Sequence, residues 1–399
     1  MEGIKDKVAI IGMGCTKFGE LWDKDTSDLI VEAAYEAFED AGIGPEDVQA
    51  AWIGTVFSGV TATTLSLPLK LQYIPATRVE NLCATGTEAI RAATYAVAAG
   101  ACDIALALGV EKLKDAGYGL PPPPIAENEI GETGVSPLRM IPPPVAFGSQ
   151  AIRYFHRYGL TPEEGKKLLA KIAVKNHHNG SLNPKAQYQR EITLEQAINA
   201  PMVSWPLGIY DCCGVTDGAA AAIVTRADMA KNFRSDPLYI KSFAVSASAR
   251  QAAMTQGGDF TYFEENVRAS RAAYAEAGIK TPLKELNIAI VHDCFTITEL
   301  LICEDLGWCP RGEAKSYIED GVFELGGELP VNTDGGLKCF GHPLGASGLR
   351  MIYEVYKQLQ GKAGLRQLKD PKLGLTHNLA GNIGHGPVVA MGIFGSELG

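Results

Sequence analysis

This chain is poor in basic clusters, in long apolar runs and in any regular pattern of cysteine. Its 399 residues carry 36 Lys and Arg against 46 Asp and Glu, a net charge of −10, with no polybasic run. That excludes a nucleic-acid reader held by a basic face. No apolar stretch approaches the roughly 20 residues of a membrane helix. The N-terminal MEGIKDKVAIIGMG leads straight into a strand-like run without a signal-type apolar region. The nine cysteines are odd in number and scattered. They predict neither a disulfide framework nor, for want of CxxC spacing, a zinc site, and they place the protein in the cytoplasm.

What is present is a globular composition, 46% hydrophobic and 21% charged, in a chain long enough for two or three domains. Val8–Gly12 and Ala50–Gly54 read as apolar strands. Ser27–Ala41 has helical spacing and stops at Gly42, a residue suited to a left-handed cap. Thr87–Ala99 reads as an alanine-rich helix and Ile104–Gly109 as the next strand. Such alternation predicts parallel strands with crossover helices.

The chain also resembles itself. AAYEAFEDAGIGPEDVQAAWIGT from Ala33 is answered by AAYAEAGIKTPLKELNIAIVHDCF from Ala272. In both, a helix ends in Ala-Gly-Ile and an apolar strand follows. Cys83 then precedes a helix and the strand Ile104–Gly109, as His342 precedes a helix (Ser347–Leu359) and the strand Leu373–Thr376. Two packed halves would bring both turns to one site. Between them, Pro121–Gly148 is proline-rich, and helical patterning from Ala146 to Asn179 predicts a small inserted domain.

Four segments carry chemistry. In VENLCATGTEAI, Cys83 sits at a strand-to-helix turn, where unpaired N–H groups and the helix dipole are expected to lower its pKa and hold an oxyanion. Cys15, Cys102 and Cys303 read instead as core fillers. In VHDCF, which closes the strand Ile288–Val291, His292 and Cys294 alternate and share one side. CFGHPLGASG places His342 in a glycine-rich turn without the spacing of a phosphate loop. LTHNLAGNIGHGP is a second glycine-rich turn, in which His377 and His385 read as structural. A thiol, a base to activate it, donors for an oxyanion and a second acid–base group together suit attack on a carbonyl with proton transfer at carbon.

With VENLCATG, KNHHNGSLNPKAQY, DCCGVTDGAAAAIV, HDCF and NTDGGLKCFGHPLGASG in this order, the chain resembles the thiolase superfamily over essentially its whole length, and within it the sterol-carrier-protein-type and archaeal thiolases. The resemblance implies a duplicated five-layer α-β-α-β-α fold with an inserted loop domain, in a homodimer or homotetramer. The halves are expected at 1–118 plus 207–235 and at 236–399, with the loop domain at 119–206. It implies Cys83 as acylated nucleophile, His342 as its base and Cys294 as acid–base group. The last role replaces a cysteine that common thiolases carry where this chain has Asn378. It also implies His292 with His342 in one oxyanion hole and the backbone N–H groups of Cys83 and Ala380 in a second, at a position usually glycine.

The implied reaction is CoA-dependent cleavage of a 3-oxoacyl-CoA, or the reverse Claisen condensation, with coenzyme A as co-substrate and no metal. The acyl group is that of acetoacetyl-CoA or a bulkier one such as benzoylsuccinyl-CoA, and relatives of this branch suggest a separate small zinc-ribbon/OB-fold subunit. The proline-rich Pro121–Pro144 segment and the long Asn382–Pro387 loop depart from common thiolases. Glu127, Glu129, Glu132 and Arg139 predict a mostly uncharged entrance. A decarboxylating ketoacyl synthase on the same fold, or a non-catalytic scaffold or lipid-carrier subunit, are the alternatives.

Overall fold

A computed structural model describes residues 3–116, 142–248, 259–381 and 387–399. The expectations placed on most of the proline-rich segment and on residues 382–386, His385 included, lie outside the described residues. Strands run β1 (Val8–Cys15), β2 (Ala50–Gly54), β3 (Ala76–Val79), β4 (Ile104–Glu111), β5 (Met202–Ser204), β6 (Leu207–Gly208), β7 (Gly218–Arg226), β8 (Leu238–Ala247), β9 (Ile288–Ile290), β10 (Leu373–Ala380) and β11 (Val388–Gly395). Helices are α1 (Thr26–Ala41), α2 (Thr63–Leu69), α3 (Thr85–Ala98), α4 (Pro143–Arg157), α5 (Pro162–Ser181), α6 (Leu194–Ile198), α7 (Glu264–Ala277), α8 (Pro282–Glu285), α9 (Thr296–Asp305), α10 (Ala314–Glu319), α11 (Gly336–Cys339) and α12 (Leu344–Leu359).

The strand order β3-β2-β4-β7-β1-β8-β11-β10-β9 contains the duplication. In the first half β2 pairs parallel to β4, then β4–β7 and β7–β1 are antiparallel. In the second, β9 pairs parallel to β10, then β10–β11 and β11–β8 are antiparallel. Among the described residues the two half-sheets are joined through β1 and β8, at Ala9↔Tyr239 and Ile10↔Leu238.

Alternation along the strands builds the layers. Ala9 and Ile11 of β1 pack outward with Leu29, Ile30, Ala33 and Ala37 of α1. Val8 and Ile10 turn inward to the core that holds Ala89, Ile90 and Ala93 of α3. Helices α3 and α12 pack on each other and between the half-sheets, while α7 covers β8 and β11. The result is five layers, α1, sheet, α3 with α12, sheet, α7, as the resemblance implies. Both faces of β1, β4 and β7 are buried, so these strands read as unbroken apolar runs.

Local signals match this frame. Asp25 caps α1 by accepting from Asp28 N–H, and Gly42 ends it at φ 70°. α12 begins three residues earlier than its spacing predicts, with Pro343 in extended conformation as its N-cap. Helices α4 and α5 fill the stretch expected to form the inserted domain. Among the described residues, no helix is long and apolar enough to cross a membrane.

Candidate active site

Helices α3 and α12 meet at their N-terminal ends, and glycine permits the approach. A Cβ on Gly86 of α3 would lie 2.7 Å from Gly345 O, and one on Gly348 of α12 would lie 2.3 Å from Thr87 N. The residues just before the two helices, Cys83 and His342, therefore converge.

Cys83 lies in the short turn Leu82–Ala84 ahead of α3. Leu82 holds φ +46°, a left-handed conformation that costs a leucine energy and recurs where a chain must aim a reactive group. Asn81 N–H donates to Thr85 Oγ1 (2.8 Å) and Leu82 N–H to Glu80 Oε1 (2.6 Å), fixing the turn. The residue is half-buried. Its thiol does not have the lowered pKa expected of a helix N-terminus. Burial pushes it up to about 12; its own N–H pulls the other way, and Glu111 and Glu80 add to the rise. Desolvation and two carboxylates outweigh the dipole.

His342 supplies the complementary group. Its Nδ1 lies 2.8 Å from Ser347 Oγ, and that hydroxyl donates its only proton to Pro343 O at 2.9 Å. Nδ1 must therefore carry the ring proton, which leaves Nε2 with a lone pair. Nε2 is buried and has no partner among the described residues. Burial, reinforced by the buried Arg350 guanidinium, lowers the imidazole pKa to about 3. At neutral pH the pair is a neutral thiol and a neutral imidazole base.

His292 stands edge-on to His342, ring centroids 5.2 Å apart. It too is held neutral, first by burial and then by His342, His377 and Arg350. The Cys83 Sγ and one ring nitrogen from each of His292 and His342 lie within 4.8 Å of one another.

Cys294 is buried, its Sγ 3.9 Å from Thr298 Oγ1. Burial raises its pKa well above the usual thiol range, and the neighbouring Cys213 and Cys83 thiols add to the rise. Ala380 ends β10 and packs with Ala84, Ala390 and Cys83. Thus Cys83, His292 and His342 gather around one point, with Ala380 packed beside Cys83 and Cys294 two residues from His292 and close enough to feel the Cys83 thiol. His377, on β10 and near enough to His292 to disfavour its charge, holds Asn266 Oδ1 through Nε2 at 2.8 Å, a packing role such as its sequence suggests. Cys15, Cys102 and Cys303 are buried, also as expected.

Sequence reasoning passed over the residues that support this group. Asp293 accepts from Leu337 N–H (2.5 Å) and Asn176 Nδ2 (2.8 Å). Asn176 and Asn332 both donate to Glu299 at 2.8 Å, and Lys175 pairs with Glu299 at 2.6 Å. This buried network bolts the HDCF turn to α5 and to the loop before α11. Asp334 pairs with Arg350 behind His342. Cys213 N–H donates to Cys294 O at 2.9 Å, so the DCC segment forms one wall of the site. KNHHNG, NTDGG and DCCG were visible as motifs, but nothing local showed that they face one another.

A protonated thiol, a free imidazole lone pair, a second imidazole and a second thiol in a desolvated niche are the equipment of an acyl-transferring enzyme. Comparison with known proteins makes the class specific. Residues 8–228 match the family description "Thiolase, N-terminal domain", and residues 246–392 match "Thiolase C-terminal domain-like". An acetyl-CoA acetyltransferase of Methanothermobacter thermautotrophicus is 39% identical, covering 94% of this chain and 97% of that protein. The benzoylsuccinyl-CoA thiolase subunit BbsB of Thauera aromatica is 33% identical over 95% and 96%. The solved "Ltp2-ChsH2(DUF35) aldolase" superposes with a TM-score of 0.84 at 27% identity, covering 98% of each chain. The chain belongs to the thiolase family and is a CoA-dependent acyltransferase of the thiolase type.

Proposed function

We propose that the chain cleaves a 3-oxoacyl-CoA with CoA, or runs the reverse Claisen condensation, through an acyl thioester on Cys83. The convergence of Cys83 Sγ with the unpartnered Nε2 of His342 carries this reading. His342 Nε2 takes the thiol proton as Sγ attacks the substrate carbonyl. The developing oxyanion is received by the N–H groups of Cys83 and Ala380. As the C–C bond breaks, Cys294 protonates the departing enolate, whose oxygen is held by His292 and His342. CoA then attacks the acyl-cysteine and leaves as the shortened acyl-CoA. In the condensation direction Cys294 removes the α-proton instead.

On this reading the chain divides into an N-terminal half (1–118 plus 207–235) and a C-terminal half (236–399), with 119–206 as the loop domain. Acetoacetyl-CoA or a bulkier aryl substrate such as benzoylsuccinyl-CoA fits this branch. So do a cytoplasmic homodimer or homotetramer and a small separate zinc-ribbon/OB-fold subunit. The presence of a second subunit in the Ltp2-ChsH2(DUF35) structure, and BbsB's description as a subunit, support the last.

Cys83, His292 and His342 alone would equip a decarboxylating ketoacyl synthase, and that is the competing reading. Replacing Cys294 with Ala separates the two. Thiolase chemistry requires that Cys83 still become acylated by a simple acyl-CoA while carbon–carbon cleavage and condensation are lost. Malonyl-thioester condensation surviving in the variant would favour the synthase.

A further inference from the structure

We infer that the Cys83–His292–His342 group is also a binding site for a borderline-soft divalent cation of the Zn²⁺ type, whose capture blocks the nucleophile reversibly. The inference rests on the geometry of the proposed nucleophile site and not on turnover. Three donor atoms, one thiol sulfur and two imidazole nitrogens, already lie within 4.8 Å of one another. A tetrahedral zinc with Zn–N near 2.1 Å and Zn–S near 2.3 Å needs neighbouring donors roughly 3.3–3.6 Å apart. The present separations exceed that spacing by at most about 1.2–1.5 Å, so the three side chains must draw in around the ion.

Several features point to a cation. His342 Nε2 and His292 Nδ1 are buried atoms with no hydrogen-bond partner among the described residues. Buried polar atoms are almost always paired, and His342 Nε2, the nitrogen not held by Ser347, is left free to meet a ligand. Second, the other nitrogen of His342 donates to Ser347, which is itself anchored on Pro343 O. That is the outer-shell support that fixes a metal-binding histidine's tautomer. Three protein donors leave a fourth position open for water.

Glu111 and Glu80 place negative potential at the thiol, while the positive charge of Arg350 opposes the ion. Arg350 is itself paired with Asp334. The half-buried Cys83 gives an entry path. Binding is proton-balanced: the thiol gives up its proton to solvent, a thiolate–metal bond forms, and both histidines bind as neutral ligands. The same lone pairs cannot then serve catalysis, so bound cation and acyl group exclude each other.

The test titrates the intact chain with zinc chloride alone, reading stoichiometry by native mass spectrometry and proton release by calorimetry in buffers of different ionisation enthalpy. One ion per chain with one proton released is expected. Cys83→Ser should remove the site, and so should iodoacetamide-capped wild-type protein, which covers a variant that fails to fold. Ser347→Ala should weaken binding by about 10–100-fold, the usual consequence of losing an outer-shell partner. Zinc binding unchanged in Cys83→Ser and in the capped protein would overturn the inference. So would no binding at all, or a site lost with Cys294→Ser but kept without Cys83. Because no acyl-CoA is present, failure here is distinct from failure of the thiolase reading.

Discussion

The two halves of this protein present their reactive residues at the same place in the same topology, yet treat them differently. In the first half Cys83 sits half-exposed on a turn held by a left-handed leucine and two short-range hydrogen bonds. In the second, His342 is buried and braced by Ser347, with the Asp334–Arg350 pair behind it. Duplication supplies the position just before a central helix, although His342 follows the short helix α11 and not, as its sequence suggests, a strand. Divergence supplies a group that must meet substrate in one half, and in the other a base whose tautomer and neutrality must be fixed. The lesson is that burial, more than helix polarity, sets protonation in both turns.

The contrast can be broken in stages. His342→Ala removes the base and should slow Cys83 acylation by about 10²–10⁴-fold in stopped-flow or mass-spectrometric time courses. An acylation rate within a few-fold of wild type would show that Cys83 does not depend on the second half. Gly348→Ala places a methyl against Thr87 N. It should destabilise the chain by about 1–3 kcal/mol in denaturant unfolding, as overpacking of a tight contact does. A neutral result would mean that the α3–α12 crossing is not tight.

Ser347→Ala frees the His342 tautomer without touching substrate. It should cost about 1 kcal/mol of transition-state stabilisation, or five- to tenfold in kcat/KM. The loss should be in kcat rather than KM.

The smallest effect expected is an absence. With His342 lowered to about 3, acylation should show no acid limb near pH 6.5, where an ordinary histidine would titrate. Stability moves in that window instead. His342 and His377, both lowered to about 3, bind protons more readily when unfolded. Their contribution is therefore fully present above about pH 6.5 and is lost as pH falls toward 3. Asp293 and Asp305, both raised to about 7 by burial, move stability the opposite way over the same range. The rings' own NMR titration is therefore the check: His342 or His377 imidazole signals that titrate near pH 6.5 would contradict their buried, neutral state.

The elements of this comparison were unequally legible in the sequence. The Gly42 cap, the repeat and the two reactive turns could be read because each is written in adjacent residues. The direction of the Cys83 shift could not. It depends on Glu111, which reaches the site from the end of β4, and on the burial that two packed halves create. The Asp293–Asn176–Glu299–Lys175 network was equally hidden, since its two segments lie over a hundred residues apart and each residue reads alone as an ordinary surface polar one. Ser347 lay in plain view inside GHPLGASG. Its role appeared only when its proton was seen to go to Pro343 O, leaving it to accept from the histidine.

The central claim is that a thiol from one half and an imidazole from the other cooperate to form an acyl-enzyme. Intact mass spectrometry of the chain after exposure to a panel of acyl-CoAs tests it most directly, with Cys83→Ala as control. The account predicts a single acyl adduct that vanishes in Cys83→Ala and accumulates far more slowly in His342→Ala. An adduct that persists in Cys83→Ala, or none from any acyl-CoA even with co-purified partner protein, would contradict it.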